Sequence, residues 1–317
     1  MTALIMDLRR NRLLASYVIV GTLFLILVIA GGLLSDRFLT WRNFSNLFQQ
    51  LIVLGMVSLG QTFVVLMGGI DLAVGALVGA LTVFLASFLE WRPDMLWLAI
   101  PLSAIIATAI GALNGLMIVV LRVHALIVTL GMGSIIFGAT LMYRREPGGS
   151  VPNAFADFAY ANVGNIPISA IVLVAIFALA GLWLQRTRSG RDIYFAGGDP
   201  EAARLNGVHV NKVIILAYAI SGLCAAGAAI FLTARTGVGD PRIGAALTLQ
   251  SITPVVVGGT ILAGGRGGVL GTFLGVLLVT TLNNLLNFVN VSSYYQWVIQ
   301  GLIIIIAVAF NTSGKRR

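Results

Sequence analysis

Apolar runs long enough to cross a hydrocarbon core of about 30 Å as helices recur along almost the whole chain. They predict spans at 14–34, 47–67, 72–89, 96–120, 125–143, 166–184, 213–233, 247–263, 269–288 and 294–310. The expected fold is an all-α polytopic membrane protein of about ten transmembrane helices, one transmembrane domain over 1–317. A basic patch precedes the first run, as in a signal peptide. That run continues without an Ala-x-Ala cleavage site, so it is expected to stay as the first span.

The second half has one long polar interruption, residues 186–212, and it holds a compact helix signature. Asp199 suits an N-cap, Pro200 the first turn, and Glu201 the positive end of the helix dipole. Gly207 ends the element. The pattern predicts a short helix over 201–206, with Ala202, Ala203 and Leu205 as an apolar face and Arg204 and Asn206 between them. One turn needs a partner surface to persist. The alternative is an ordinary solvated loop.

Two glycine-rich stretches break the helical pattern, GGIDLAVG over 68–75 and VVVGGTILAGGRGG over 255–268. Non-helical backbone at membrane depth is tolerated only where protein or a watery cavity covers it, so both are expected at the edge of a pathway. Elsewhere glycines recur at small-xxx-small spacing, Gly75 with Gly79, Gly111 with Gly115, and Gly267 with Gly271 and Gly275, which lets helix backbones approach closely. Polar residues within spans ask for a reason. Gln61, Asp71, Asn114, Thr129, Gln250, Asn283 and Asn284 are the candidates for an inward-facing lining, with Asp71 expected near the cytoplasmic edge. A lining rich in amides suits hydroxyl groups better than ions; interhelical hydrogen bonding is the competing role.

Composition agrees with this picture: 58% of the 317 residues are hydrophobic and 10% charged, far from the quarter charged in soluble domains. The formal net charge of +9 does not form a nucleic-acid face, because the bases lie at the ends of apolar runs. With the N-terminus inside, 13 of the 20 lysines and arginines are cytoplasmic and 7 external, which satisfies the positive-inside rule. Both termini and the 186–212 loop are then cytoplasmic.

Several chemistries are excluded. GTILAGGR over 259–266 has Gly265 where a phosphate-binding loop needs lysine, and no strand precedes it, so the chain is not expected to hydrolyse ATP. Cys224 is alone and His124 and His209 are the only histidines, so no disulfide, metal site or cofactor is expected. GVGD over 237–240 looks like the motif of intramembrane aspartyl proteases. Its second acid would have to be Asp71, which the topology sets on the opposite face of the membrane.

SDRFLTWRNFSNLFQQ from Ser35, GQTFVVLMGGIDLAVGA from Gly60, AGGDPEAARLNGVHVNK from Ala196, VVVGGTILAGGRGGVLGT from Val255 and NNLLNFVNVSSYYQ from Asn283 together resemble the inner-membrane permeases of bacterial ATP-binding cassette importers of the ribose and xylose type. The resemblance implies an importer permease fold in the bacterial inner membrane. It also implies a coupling loop at Asp199, Pro200, Glu201, Ala202, Ala203, Arg204, Leu205, Asn206 and Gly207 that docks on an ATPase subunit. The other implied partners are a second permease chain and a periplasmic sugar-binding protein, docked near Arg235, Asp240 and Arg242. One departure is that Thr248 and Gln250 stand where many relatives carry acids. A secondary carrier without an ATPase is the competing function, and a membrane scaffold a third; carriers usually need an ionisable group at midmembrane, which the spans do not offer convincingly.

Overall fold

The computed structural model describes residues 12–292 and 294–302. Eight helices among them are long and apolar enough to cross a membrane: α1 (Arg12–Leu34), α2 (Trp41–Leu66), α3 (Val74–Trp91), α4 (Leu96–Leu121), α5 (Ala125–Tyr143), α7 (Ile168–Arg186), α10 (Val210–Thr236) and α13 (Val269–Phe288). Between α5 and α7 lie a short helix α6 (Asn153–Tyr160) and a two-stranded hairpin of β1 (Asn162–Val163) and β2 (Ile166–Pro167). Between α7 and α10 come α8 (Arg188–Gly198) and α9 (Pro200–Leu205). The protein is thus all-α and polytopic.

The expected span over 247–263 is corrected. It is two six-residue helices, α11 (Ala245–Gln250) and α12 (Ile252–Val257), followed by an irregular glycine loop. Gly259, Gly264, Gly265 and Gly267 there all have positive φ, a region glycine enters without steric cost, so the helix cannot run on. The expected span over 294–310 is helical through residue 302, and the remainder lies outside the described residues.

Helix α10 is the centre of the bundle and is built of small residues. Ala217, Ser221, Ala225, Ala228 and Ala229 are fully buried on it. A Cβ on Gly222 would fall on the carbonyl oxygen of Ala107, and one on Gly111 on that of Tyr218. Helices α4 and α10 therefore touch backbone to backbone, as small-residue spacing permits where lipid supplies no hydrophobic drive. Gly222→Val forces a side chain into a carbonyl that cannot move aside, and overpacking costs about 1–3 kcal/mol or more. The expected result is a lower melting temperature and loss of the monodisperse peak in detergent. An unchanged peak and melting curve would mean that the helices separate freely.

The two glycine breaks meet at one end of the bundle. Gly68 (φ +76°) ends α2 and turns the chain back. The N–H of Gly265 donates to the Leu66 carbonyl (2.8 Å) at the free end of α2. Gly197 of α8 abuts the same carbonyl, and a Cβ on Gly198 would lie 3.8 Å from Gly265. After Gly68 the chain folds back into the bundle before α3 begins. Asp71 consequently reaches Ser221, near the middle of α10, and not the edge that the hydrophobic pattern suggested.

Candidate functional site

The polar interruption folds as two helices joined at a corner. Thr187 caps α8, its hydroxyl accepting from the Gly190 N–H (3.1 Å), and Ile193 and Ala196 bury that helix against the bundle. Tyr194 donates its hydroxyl to the Gly267 carbonyl (3.0 Å). Burial, with Tyr17 nearby, pushes that phenol up to about 12, so it remains a donor across physiological pH. Asp199 ends α8 and caps α9: its Oδ1 accepts from the N–H groups of Glu201 and Ala202, both at 3.0 Å. Pro200 is at the first turn, Asn206 is the C-cap and Gly207 has φ +80°. Glu201 and Arg204 form an exposed ion pair at 3.4 Å.

The apolar face of α9 is divided. Leu205 is 82% exposed and Ala202 also faces outward, whereas Ala203 is 3% exposed and belongs to the core of the bundle. The expectation that Ala203 meets a partner is corrected, because one turn of helix cannot show the partner a residue that anchors it to its own protein. Helix α8 was not foreseen. Its signal was Thr187 at a cap position ahead of Ile193 and Ala196, three residues apart.

The polar residues inside the bundle separate into two sets. Gln61, Asp71, Asn114 and Thr129 are at most 2% exposed. With its amide oriented to satisfy both partners, Gln61 donates to the Asp71 carbonyl (3.3 Å) and accepts from the Asp71 N–H (3.2 Å). The Asp71 carboxylate accepts from the Ser221 hydroxyl (2.8 Å) and from the Ala73 N–H (3.0 Å). Thr129 donates to the Ile70 carbonyl (3.2 Å). These groups pin the re-entrant segment to its neighbours. Asn114 is sealed between α4 and α10, beside the Gly111 and Gly115 contacts, and among the described residues its Oδ1 has no hydrogen-bond partner. Asn284 is likewise tied up: it and Asn43 exchange hydrogen bonds at 3.0 and 2.9 Å.

Gln250 and Asn283 belong together. They line a cavity of about 200 Å³ with Gln50, Arg235 and Thr280, between apolar walls from α2, α10 and α11. It opens toward the end of the bundle opposite α8 and α9. Arg235 thus takes a different place from Asp240 and Arg242, which sit in the following loop where Asp240 Oδ1 accepts from the Arg242 N–H (2.8 Å). Gln50 and Thr280 escaped the sequence reading because an isolated glutamine or threonine beside an apolar run carries no spacing signal. Asp71 and Asp240, the pair a protease would need, are each engaged with other partners.

A family model described as branched-chain amino acid transport system / permease component matches residues 43–308. The chain belongs to this permease family. It is 35% identical to the ribose import permease protein RbsC of Haemophilus influenzae over 92% of both chains. It is 38% identical to RbsC of Bacillus subtilis, covering 90% of this chain and 89% of the relative. The galactose/methyl galactoside import permease protein MglC of Escherichia coli K12 is 32% identical, covering 94% and 95%. No solved structure matches. The chain is a multi-pass inner-membrane transport permease, as its motifs implied.

Proposed function

We propose that this permease is the membrane-spanning subunit of an ATP-binding cassette importer that moves a sugar or related polyol. A periplasmic binding protein delivers the solute, a second permease chain completes the pathway, and a separate ATPase drives it. The observation that carries this reading is α9: a capped helix outside the spans, holding Leu205 almost fully exposed while Ala203 fixes it to the bundle. Its relatives are named for the import of ribose and galactosides, which supports the solute class. In this reading the α8–α9 end and both termini are cytoplasmic, the 186–212 loop docks on the ATPase, and Asp240 and Arg242 face the binding protein. The glycine contacts of Gly197 and Gly198 with Leu66 and Gly265 carry motion of α9 to both re-entrant segments.

The ion-coupled carrier remains the rival because Asp71 is a buried acid within the bundle. Its oxygens are occupied by Ser221 and Ala73, as expected of a structural anchor. Uptake into vesicles separates the two readings. ATP with all partners present is expected to drive uptake; uptake driven by an ion gradient with no ATPase present would overturn the proposal.

The pathway in this reading runs through the cavity of Gln250 and Asn283. Gln250→Trp fills that space without entering the packed core, so uptake is expected to fall by about tenfold or more, equivalent to about 1.4 kcal/mol on the rate-limiting barrier. Copurification of the partners should persist. Undiminished uptake would place the route elsewhere.

A further inference from the structure

Among the described residues, ten line the cavity and Arg235 is the only charged one. Among the described residues its guanidinium forms no ion pair. The nearest acid in sequence, Asp240, is turned to the backbone N–H of Arg242. Asn283 accepts from Gln300 (3.1 Å) through its carbonyl oxygen, which leaves its N–H groups to donate. A part-enclosed cation without a counter-charge is unfavourable in isolation. A ligand that supplies both an anion and hydroxyls compensates the cation and meets the amides beside it.

We propose that this cavity is a binding station for an anionic polyol, a monosaccharide-sized sugar acid. Its carboxylate pairs with Arg235, and its hydroxyls bond the amides of Gln50, Gln250 and Asn283. The guanidinium fork matches the two oxygens of a carboxylate, and carboxamides exchange donors and acceptors with hydroxyls. A volume of about 200 Å³ accommodates one sugar ring. A neutral sugar satisfies the amides and leaves the cation uncompensated. This inference rests on the import reading above and specifies its solute.

The test uses the purified full-length permease in nanodiscs, with melting temperature followed against concentration of three probes: D-galacturonate, its uncharged methyl ester and D-galactose. Galacturonate is expected to half-saturate the shift at a concentration about tenfold lower than the other two. Arg235→Gln should erase that preference. Gln250→Glu, which adds a counter-charge and leaves Arg235 in place, should erase it as well, so a poorly folding Arg235 variant does not decide the matter. Equal responses to the three probes would overturn the anionic assignment while leaving the cavity as a sugar site. No response to any probe, or a preference that survives both charge changes, would overturn the proposal outright. The import reading is judged apart from this, by ATP-driven uptake.

Discussion

Exchanging Leu205 for aspartate is expected to weaken retention of the ATPase on the purified permease by at least an order of magnitude. Leu205 is 82% exposed in the isolated chain, so almost all of its surface is available to a partner. Burying a leucine side chain contributes about 1.5–3 kcal/mol, and about 1.4 kcal/mol is tenfold in affinity. The damage should stay local, because a side chain that touches little of its own protein adds little to the packing of the spans. Melting temperature and acceptance of the binding protein should be unchanged, while uptake and solute-stimulated hydrolysis fall together. Ala203→Asp is the contrasting control: it buries a carboxylate in the core and should lower the melting temperature itself. Unchanged ATPase retention and uptake in the Leu205→Asp protein would reduce α9 to a solvated loop.

Asp71→Ala is expected to show the other large effect, and it should appear in folding before transport. The carboxylate satisfies the buried Ser221 hydroxyl and the Ala73 N–H at the start of α3. Each buried group left unpaired costs about 1–3 kcal/mol, and both donors are at a site where Asp71 is only 2% exposed. A drop in melting temperature with poor recovery of folded permease is the expected outcome. Asp71→Asn keeps an acceptor oxygen for one of the two donors and should lose less. If Asp71→Ala melts like the parent but no longer transports, Asp71 acts on the solute or on a coupled ion, and the carrier reading gains.

Local chemistry was legible wherever a few adjacent residues decide the conformation. Asp199, Pro200 and Gly207 specify the start and end of α9 because capping, a fixed φ and a left-handed turn are properties of single residues. The long apolar runs became helices close to their expected bounds, since a helix is the form that satisfies every backbone group within its own segment at membrane depth. The glycine pairs on α4 marked a close approach, and the structure supplied the neighbour: Gly111 and Gly115 meet Tyr218 and Ile215 of α10. The same hydrophobicity misled at 247–263, where average apolarity counts residues and says nothing of the φ values that glycines 259–267 adopt. It could not foresee α8, whose amphipathic face exists only because the bundle offers a surface for Ile193 and Ala196.

Amino-acid order by itself determined that the chain is a polytopic helical membrane protein, that a capped helix interrupts its second half, and to which permeases it is similar. Which polar residues anchor and which line a cavity was a tertiary decision. Gln61, Asp71 and Asn284 are as polar as Gln250 and Asn283, yet the first three are buried against partners on neighbouring segments, whereas Gln250 and Asn283 line a cavity with Arg235, Asn283 being bonded to Gln300 through its carbonyl oxygen. The physical reason is that a polar group in a span is satisfied by whatever long-range packing brings to it. Two of those partners lie far away in sequence, as Asn43 does from Asn284 and Ser221 from Asp71, and no local pattern records them.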